Sequence, residues 1–100
     1  MVKHIILWNL KDEYSMTEKE EIKRKIKIEL ETLQGQIPGL VEMKVQTTYL
    51  DSSSAELMLD STFESVDALK SYAIHPKHVA VADNFVRPFV SARSCLDFEI

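Results

Sequence analysis

The sequence predicts an α+β domain with the element order β-α-β-β-α-β, and three observations lead there. An aliphatic run over Val2–Leu10 is followed by a helical stripe at Ile22, Ile26, Leu30 and Leu33. Two alternating segments flank Asp51-Ser52-Ser53-Ser54, and a second helical region then leads to a last alternating segment. That order is the split βαβ of a ferredoxin-like sandwich, one antiparallel sheet with helices on one face. One hundred residues match the usual size of one domain, so residues 1–100 are read as a single unit.

In the first strand Val2, His4, Ile6, Trp8 and Leu10 share one side and Lys3, Ile5, Leu7 and Asn9 the other, so both sides carry apolar groups. Lys11 to Met16 is polar, and Thr17 with Glu20 three residues on predicts a capping box for a helix reaching about Gln34. Its outer face bears Lys23-Arg24-Lys25 and Lys27. Glu20, Glu21, Glu29 and Glu31 stand four residues from these cations, which makes it a solvated face rather than a basic patch. Gly35 lies where a helix C-cap belongs. Ile37-Pro38-Gly39 then turns the chain into an extended segment, Leu40–Leu50, with Val41, Met43, Val45, Thr47 and Tyr49 on one side.

Asp51–Ser54 is the strongest turn cluster, and Ala55–Thr62 alternates through Leu57 and Leu59, which predicts an antiparallel hairpin. Ser65 can cap a short helix carrying Val66, Leu69 and Tyr72. Pro76 disfavours helical geometry at His75 yet suits the first turn of a new helix. That helix is expected to run to about Arg87, burying Val79, Ala82 or Asp83, and Val86. Ser94–Ile100 closes the sheet, with Leu96, Phe98 and Ile100 sharing a face.

Helices on one side leave the other face of the sheet bare. The first strand is apolar there too, which marks an interface. With no internal repeat to cover it, a two-fold homodimer, sheet against sheet, is expected. Twelve Lys+Arg against 16 Asp+Glu give a net charge of −4, which argues against a nucleic-acid partner. Ile5-Ile6-Leu7-Trp8 is too short for a signal-peptide core or a membrane span, so no membrane association is expected and the protein reads as cytoplasmic. Cys95 stands alone, excluding an intrachain disulfide and suggesting a semi-buried thiol in a reducing compartment.

Three histidines invite chemistry: His4 in the first strand, and His75 and His78 three apart around Pro76. As a facial set they could hold zinc, but no Cys or carboxylate spacing reinforces that, and His75 can equally cap the helix beginning at Pro76. No metal or other cofactor is therefore expected. An acid–base reading pairs His78 with Tyr72 and His4: an imidazole titrates near working pH, and a phenol can donate to a substrate carbonyl as charge builds there. A structural reading, with all three as ordinary strand, rim and surface residues, competes on the residues alone.

Val2-Lys3-His4-Ile5, Lys11-Asp12-Glu13, Ile37-Pro38-Gly39, Thr62-Phe63-Glu64-Ser65-Val66 and above all Tyr72-Ala73-Ile74-His75-Pro76-Lys77-His78-Val79 resemble the stress-responsive A/B barrel domain family, from Met1 to Phe98. The resemblance implies a homodimeric α+β barrel. It is similar, at His4, Tyr72, His75 and His78, to a plant branch of polyketide cyclases that act by intramolecular aldol condensation. The resemblance then implies His78 as the base, Tyr72 as its orienting partner and oxyanion donor, His4 lining the pocket and His75 supporting the helix start. That branch has a further histidine in the strand before the Thr62–Val66 segment, where this chain has Leu57 and its neighbours Glu56 and Met58, which implies a drier pocket and a different ligand. Ile6, Trp8, Leu59, Leu69, Val79, Phe85 and Phe89 are the expected pocket walls, with His75 beside them. The expected function is to bind or transform a carbonyl-bearing small molecule. The alternative is a non-enzymatic, stress-associated dimer or scaffold.

Overall fold

The computed structural model describes Met1–Ile100. The elements are β1 (Val2–Leu10), α1 (Met16–Glu31), β2 (Leu40–Gln46), β3 (Leu57–Phe63), α2 (Val66–Ile74), α3 (Pro76–Val81), which runs on into a π-helical turn at Ala82–Val86, and β4 (Val90–Glu99). The four strands form one antiparallel sheet in the order β2-β3-β1-β4, so the fold is the ferredoxin-like α+β arrangement the sequence predicts. No helix is long and apolar enough to cross a membrane.

β1 is central, pairing His4 with Ser61 and Trp8 with Leu57 on one side, and His4 with Asp97 and Trp8 with Arg93 on the other. Directly paired residues point to the same side of a sheet. Hence Val2, His4, Ile6, Trp8 and Leu10 meet Leu57, Leu59, Ser61 and Phe63 beneath the helices, and all of these are buried. From above, Ile26, Leu30 and Leu33 of the α1 side and Tyr72 of α2 complete the core, with Ile22 and Leu69 packed against it. Each fully buried aliphatic side chain contributes roughly 1.5–3 kcal/mol.

Several boundaries differ from expectation. The capping box belongs to Ser15 and Glu18, not Thr17 and Glu20: Ser15 Oγ accepts from Glu18 N at 3.1 Å and Glu18 Oε1 accepts from Ser15 N at 2.9 Å. Both pairs have the same spacing, and the earlier start places Glu18 in the first turn, at the positive end of the helix dipole. The helix ends at Glu31 with Thr32 as its C-cap, and Gly35 (φ 88°) lies in the turns beyond. β2 stops at Gln46 rather than Leu50. An irregularity in its pairing between Leu40 and Glu42 puts Leu40, Met43 and Val45 inside and leaves Val41 exposed. β4 begins at Val90, four residues before the expected Ser94, because Val90 to Ala92 continue the pairing with β1 past a bulge.

Cys95 is exposed rather than semi-buried. It lies on an edge strand over which no helix lies, and every β4 residue but Val90 is exposed. The helix-free face of the sheet is also less uniformly apolar than β1 alone suggests. Ile5 and Leu7 are joined there by Leu96 and Phe98, with Leu7 40%, Leu96 64% and Phe98 41% exposed. Towards β2, however, Lys3 Nζ lies 2.5 Å from Asp60 Oδ1, and Lys44 Nζ lies 3.4 Å from Glu42 Oε1.

Candidate functional site

Between the helix-covered face of the sheet and the segment from α2 to the π turn lies a cavity of about 220 Å³. Ile6, Trp8 and His4 of β1 and Leu59 of β3 form its floor. Leu30, Leu69, Ala73, Ala82, Val86 and Val90 wall it, and Tyr72, His78, Arg87 and Arg93 supply the remaining polar groups.

The local sequence explains how Tyr72 and His78 meet. Ser65 Oγ caps α2 by accepting from Ala68 N at 3.1 Å, and this sets the phase that turns Tyr72 inward. His75 adopts extended geometry (φ −67°, ψ 132°) before Pro76, ends α2 and starts α3; its Nδ1 accepts from Lys77 N at 3.1 Å. The resulting break brings His78 back over Tyr72, with ring centroids 4.1 Å apart and planes inclined by 34°. Phe63 supports the other part of the phenol ring at 4.8 Å, and His4 approaches edge-on at 6.3 Å.

The two central groups are pushed apart in acidity by burial. The Tyr72 hydroxyl is held well above its ordinary range because desolvation penalises the phenolate, an effect that the nearby Arg93 charge only partly offsets. His78 moves the other way: desolvation lowers it, partly countered by its bond to Ala73, with Arg87, His4 and Arg93 adding repulsion. Its Nδ1 lies 3.2 Å from Ala73 O, a carbonyl that can only accept, so Nδ1 carries the proton and Nε2 keeps its lone pair. The Tyr72 hydroxyl has a single hydrogen-bond partner, Met43 Sδ at 4.0 Å, a weak acceptor. A neutral imidazole with a free basic nitrogen thus stands against a protonated phenol whose donor capacity is almost unused.

His4 is buried and its Nδ1 bonds to Asp97 Oδ1 across the β1–β4 pair, while Ser61 Oγ donates to His4 O at 2.7 Å. Cys95 Sγ lies 3.7 Å from His4 Nδ1 and 3.5 Å from Asp97 Oδ1, and partial desolvation of the sulfur, followed by the Asp97 carboxylate, pushes its thiol up. His4, Cys95 and Asp97 form the one grouping of three metal-type donors in the chain, with ligand atoms within 4.8 Å of one another. The three histidines do not assemble into such a set.

Of the residues expected at the site, His4, Ile6, Trp8, Leu59, Leu69, Tyr72 and His78 converge on the cavity; His75, Val79, Phe85 and Phe89 do not line it. His75 is occupied in capping α3. Phe85 and Phe89 pack against the core from outside, Phe89 with its ring 6.0 Å from Tyr14, and Val79 is only half-buried. The π turn, in which Arg87 N bonds to Ala82 O at 2.8 Å, contributes Ala82, Val86 and Arg87 to the cavity wall. Arg93 lies just before the expected start of the last strand at Ser94; the alternation Arg93, Cys95, Asp97 is the signal that places it on the helix side.

Fold and site together define a ferredoxin-like α+β sandwich whose helices enclose a small cavity lined by histidine and tyrosine. The chain belongs to the stress responsive A/B barrel domain family, whose model matches residues 2–100. It is 33% identical over 85 residues to olivetolic acid cyclase of Cannabis sativa, covering 82% of this chain and 80% of that protein. A crystal structure of a dimeric protein of unknown function with a ferredoxin-like fold from Bacteroides fragilis superimposes with a TM-score of 0.91 at 30% identity, covering 99% of this chain and 95% of that one. The hydroxynitrile lyase of Passiflora edulis shares the fold, with a TM-score of 0.80 at 22% identity over 99% and 92% of the two chains.

Proposed function

We propose that this cavity binds a carbonyl-bearing small molecule and removes a proton from the carbon next to the carbonyl. His78 Nε2 takes the proton and the Tyr72 hydroxyl donates to the oxygen as it becomes an enolate. The observation that carries this reading is the close, tilted Tyr72–His78 pair at 4.1 Å, one partner kept neutral and the other kept protonated by the same burial. His4, bonded to Asp97, lines the wall as a positioning residue beside the phenol ring. The curated relative, named as a cyclase of olivetolic acid, supports carbon–acid chemistry as the reaction class. The cavity volume equals about seven waters at ~30 Å³ each, so the ligand is a short-chain or single-ring compound.

The test is exchange of the acidic proton of a β-keto ester into deuterated water, followed by proton NMR. The protein accelerates exchange over buffer, and His78→Gln abolishes the gain, a loss of about 10²–10⁴-fold for a positioned base. Exchange at the buffer rate, or acceleration that survives in His78→Gln, refutes the assignment.

The exposed Leu7, Leu96 and Phe98 of the helix-free face fit self-association through that face, and the Bacteroides fragilis structure is itself described as dimeric. Light scattering should then give twice the 11.5 kDa chain mass at micromolar concentration; the mass of one chain refutes the pairing.

A further inference from the structure

The chain as a whole is acidic, with 16 carboxylate side chains against 12 Lys+Arg, yet its cavity is not. Among the 14 residues lining it are Arg87, Arg93, His4 and His78, and none is Asp or Glu. Arg87 is already committed, since its guanidinium forms an ion pair with Asp83. Arg93 forms an ion pair with no carboxylate anywhere in the chain. It stands opposite Trp8 in the β1–β4 register, so its guanidinium projects from the helix side of the sheet at the cavity rim while the apolar walls lie further in. Asp97, two positions along the same strand face, is taken up by His4 and does not line the cavity.

We infer that Arg93 is an anion-binding subsite of this cavity, and that the ligand is a carboxylate carried on a small apolar body. A planar guanidinium matches a carboxylate through paired N–H donors, and Arg93, although exposed, presents that fork beside the buried apolar walls. The apolar walls of Ile6, Trp8 and Leu59 take the hydrocarbon part. The inference rests on the cavity being the ligand site proposed above and adds the charge of what enters it. A strongly apolar, uncharged ligand would leave the unpaired cation without a partner. A phosphate would waste the apolar walls.

Calorimetric titration with benzoate, its neutral isostere benzamide, the neutral ketone acetophenone and inorganic phosphate tests this. The intact protein binds benzoate at least about tenfold more tightly than benzamide, the low end for a hydrogen bond to a charged group. Benzoate likewise exceeds phosphate by at least about tenfold. Arg93→Gln brings benzoate down to the benzamide level and leaves acetophenone unchanged. Arg93→Lys, which keeps the charge but not the planar fork, restores part of the difference. Equal binding of benzoate and benzamide by the intact protein overturns the inference, as does a preference that survives in Arg93→Gln or phosphate binding as tight as benzoate. Arg93-dependent benzoate binding without any acetophenone binding removes the carbonyl reading and keeps the anion subsite; the reverse pattern removes the subsite alone.

Discussion

Replacing Tyr72 with phenylalanine deletes one oxygen from the centre of the molecule, and the structure sets how the fold responds. Tyr72 is 2% exposed, and its hydroxyl has only Met43 Sδ at 4.0 Å as a partner. A well-made intramolecular hydrogen bond contributes about 0.5–1.5 kcal/mol net, whereas a buried hydroxyl without a good partner costs about 1–3 kcal/mol. Sulfur at 4.0 Å recovers little of that, so Tyr72→Phe should leave stability unchanged or raise it by up to about 1 kcal/mol. For a domain of this size that is a rise in Tm of zero to about 8 °C. Ser61→Ala provides the contrast: Ser61 is fully buried and its hydroxyl donates to His4 O at 2.7 Å, so its loss should destabilise by about 1 kcal/mol. Urea unfolding followed by circular dichroism measures both, while proton exchange of the β-keto ester measures function. The expected pattern for Tyr72→Phe is a fold as stable as before and proton exchange slowed by at least about tenfold. Destabilisation by more than about 1 kcal/mol would show that the hydroxyl is a structural group and refute the reasoning.

Three further outcomes follow from particular contacts. Ser15→Ala removes the cap of α1 and should cost about 1 kcal/mol, whereas Thr17→Ala should change stability by no more than a few tenths, read by thermal melting of the two variants. Gly39 has φ 83°, and a Cβ there would lie 2.5 Å from Ala68 Cβ, so Gly39→Ala should lose about 2–4 kcal/mol from backbone strain and overlap together; a loss below 1 kcal/mol in denaturant unfolding contradicts this. Because burial depresses His78 in the folded state, the unfolded chain takes up that proton first as pH falls below about 6.5. The native protein should therefore lose stability between pH 7.5 and 5 more steeply than His78→Gln, and a parallel pair of stability–pH curves would show that the imbalance is absent.

The legible part of the molecule is the part whose signals are local. The two-sided β1, the stripe Ile26, Leu30 and Leu33, the Ser65 cap and the break at His75-Pro76 each declare themselves within a few residues, and together they carry the topology and bring Tyr72 towards His78. What escaped depends on pairing or helix phase. Ser15 and Thr17 both precede a glutamate by three positions, so the spacing does not choose between them, and the chain uses the earlier pair. Arg93 joins the cavity because β4 pairs with β1 from Val90 onward, a register set by residues eighty or more positions apart. Phe85 falls inside the π turn that begins at Ala82, while Val79 and Phe89 lie on either side of it, and none of the three lines the cavity.

The π turn has a bearing on how the ligand wall can diverge. Five residues from Ala82 to Val86 occupy a turn that an ordinary helix closes with about four, so the segment behaves as a single-residue insertion that never needed a loop. Removing one residue there would let regular winding resume with Val81 and Arg87 still in phase, while the side chains between them would be redistributed over four positions instead of five. A one-codon deletion could thus retune what the chamber accepts while the sheet beneath it stays put.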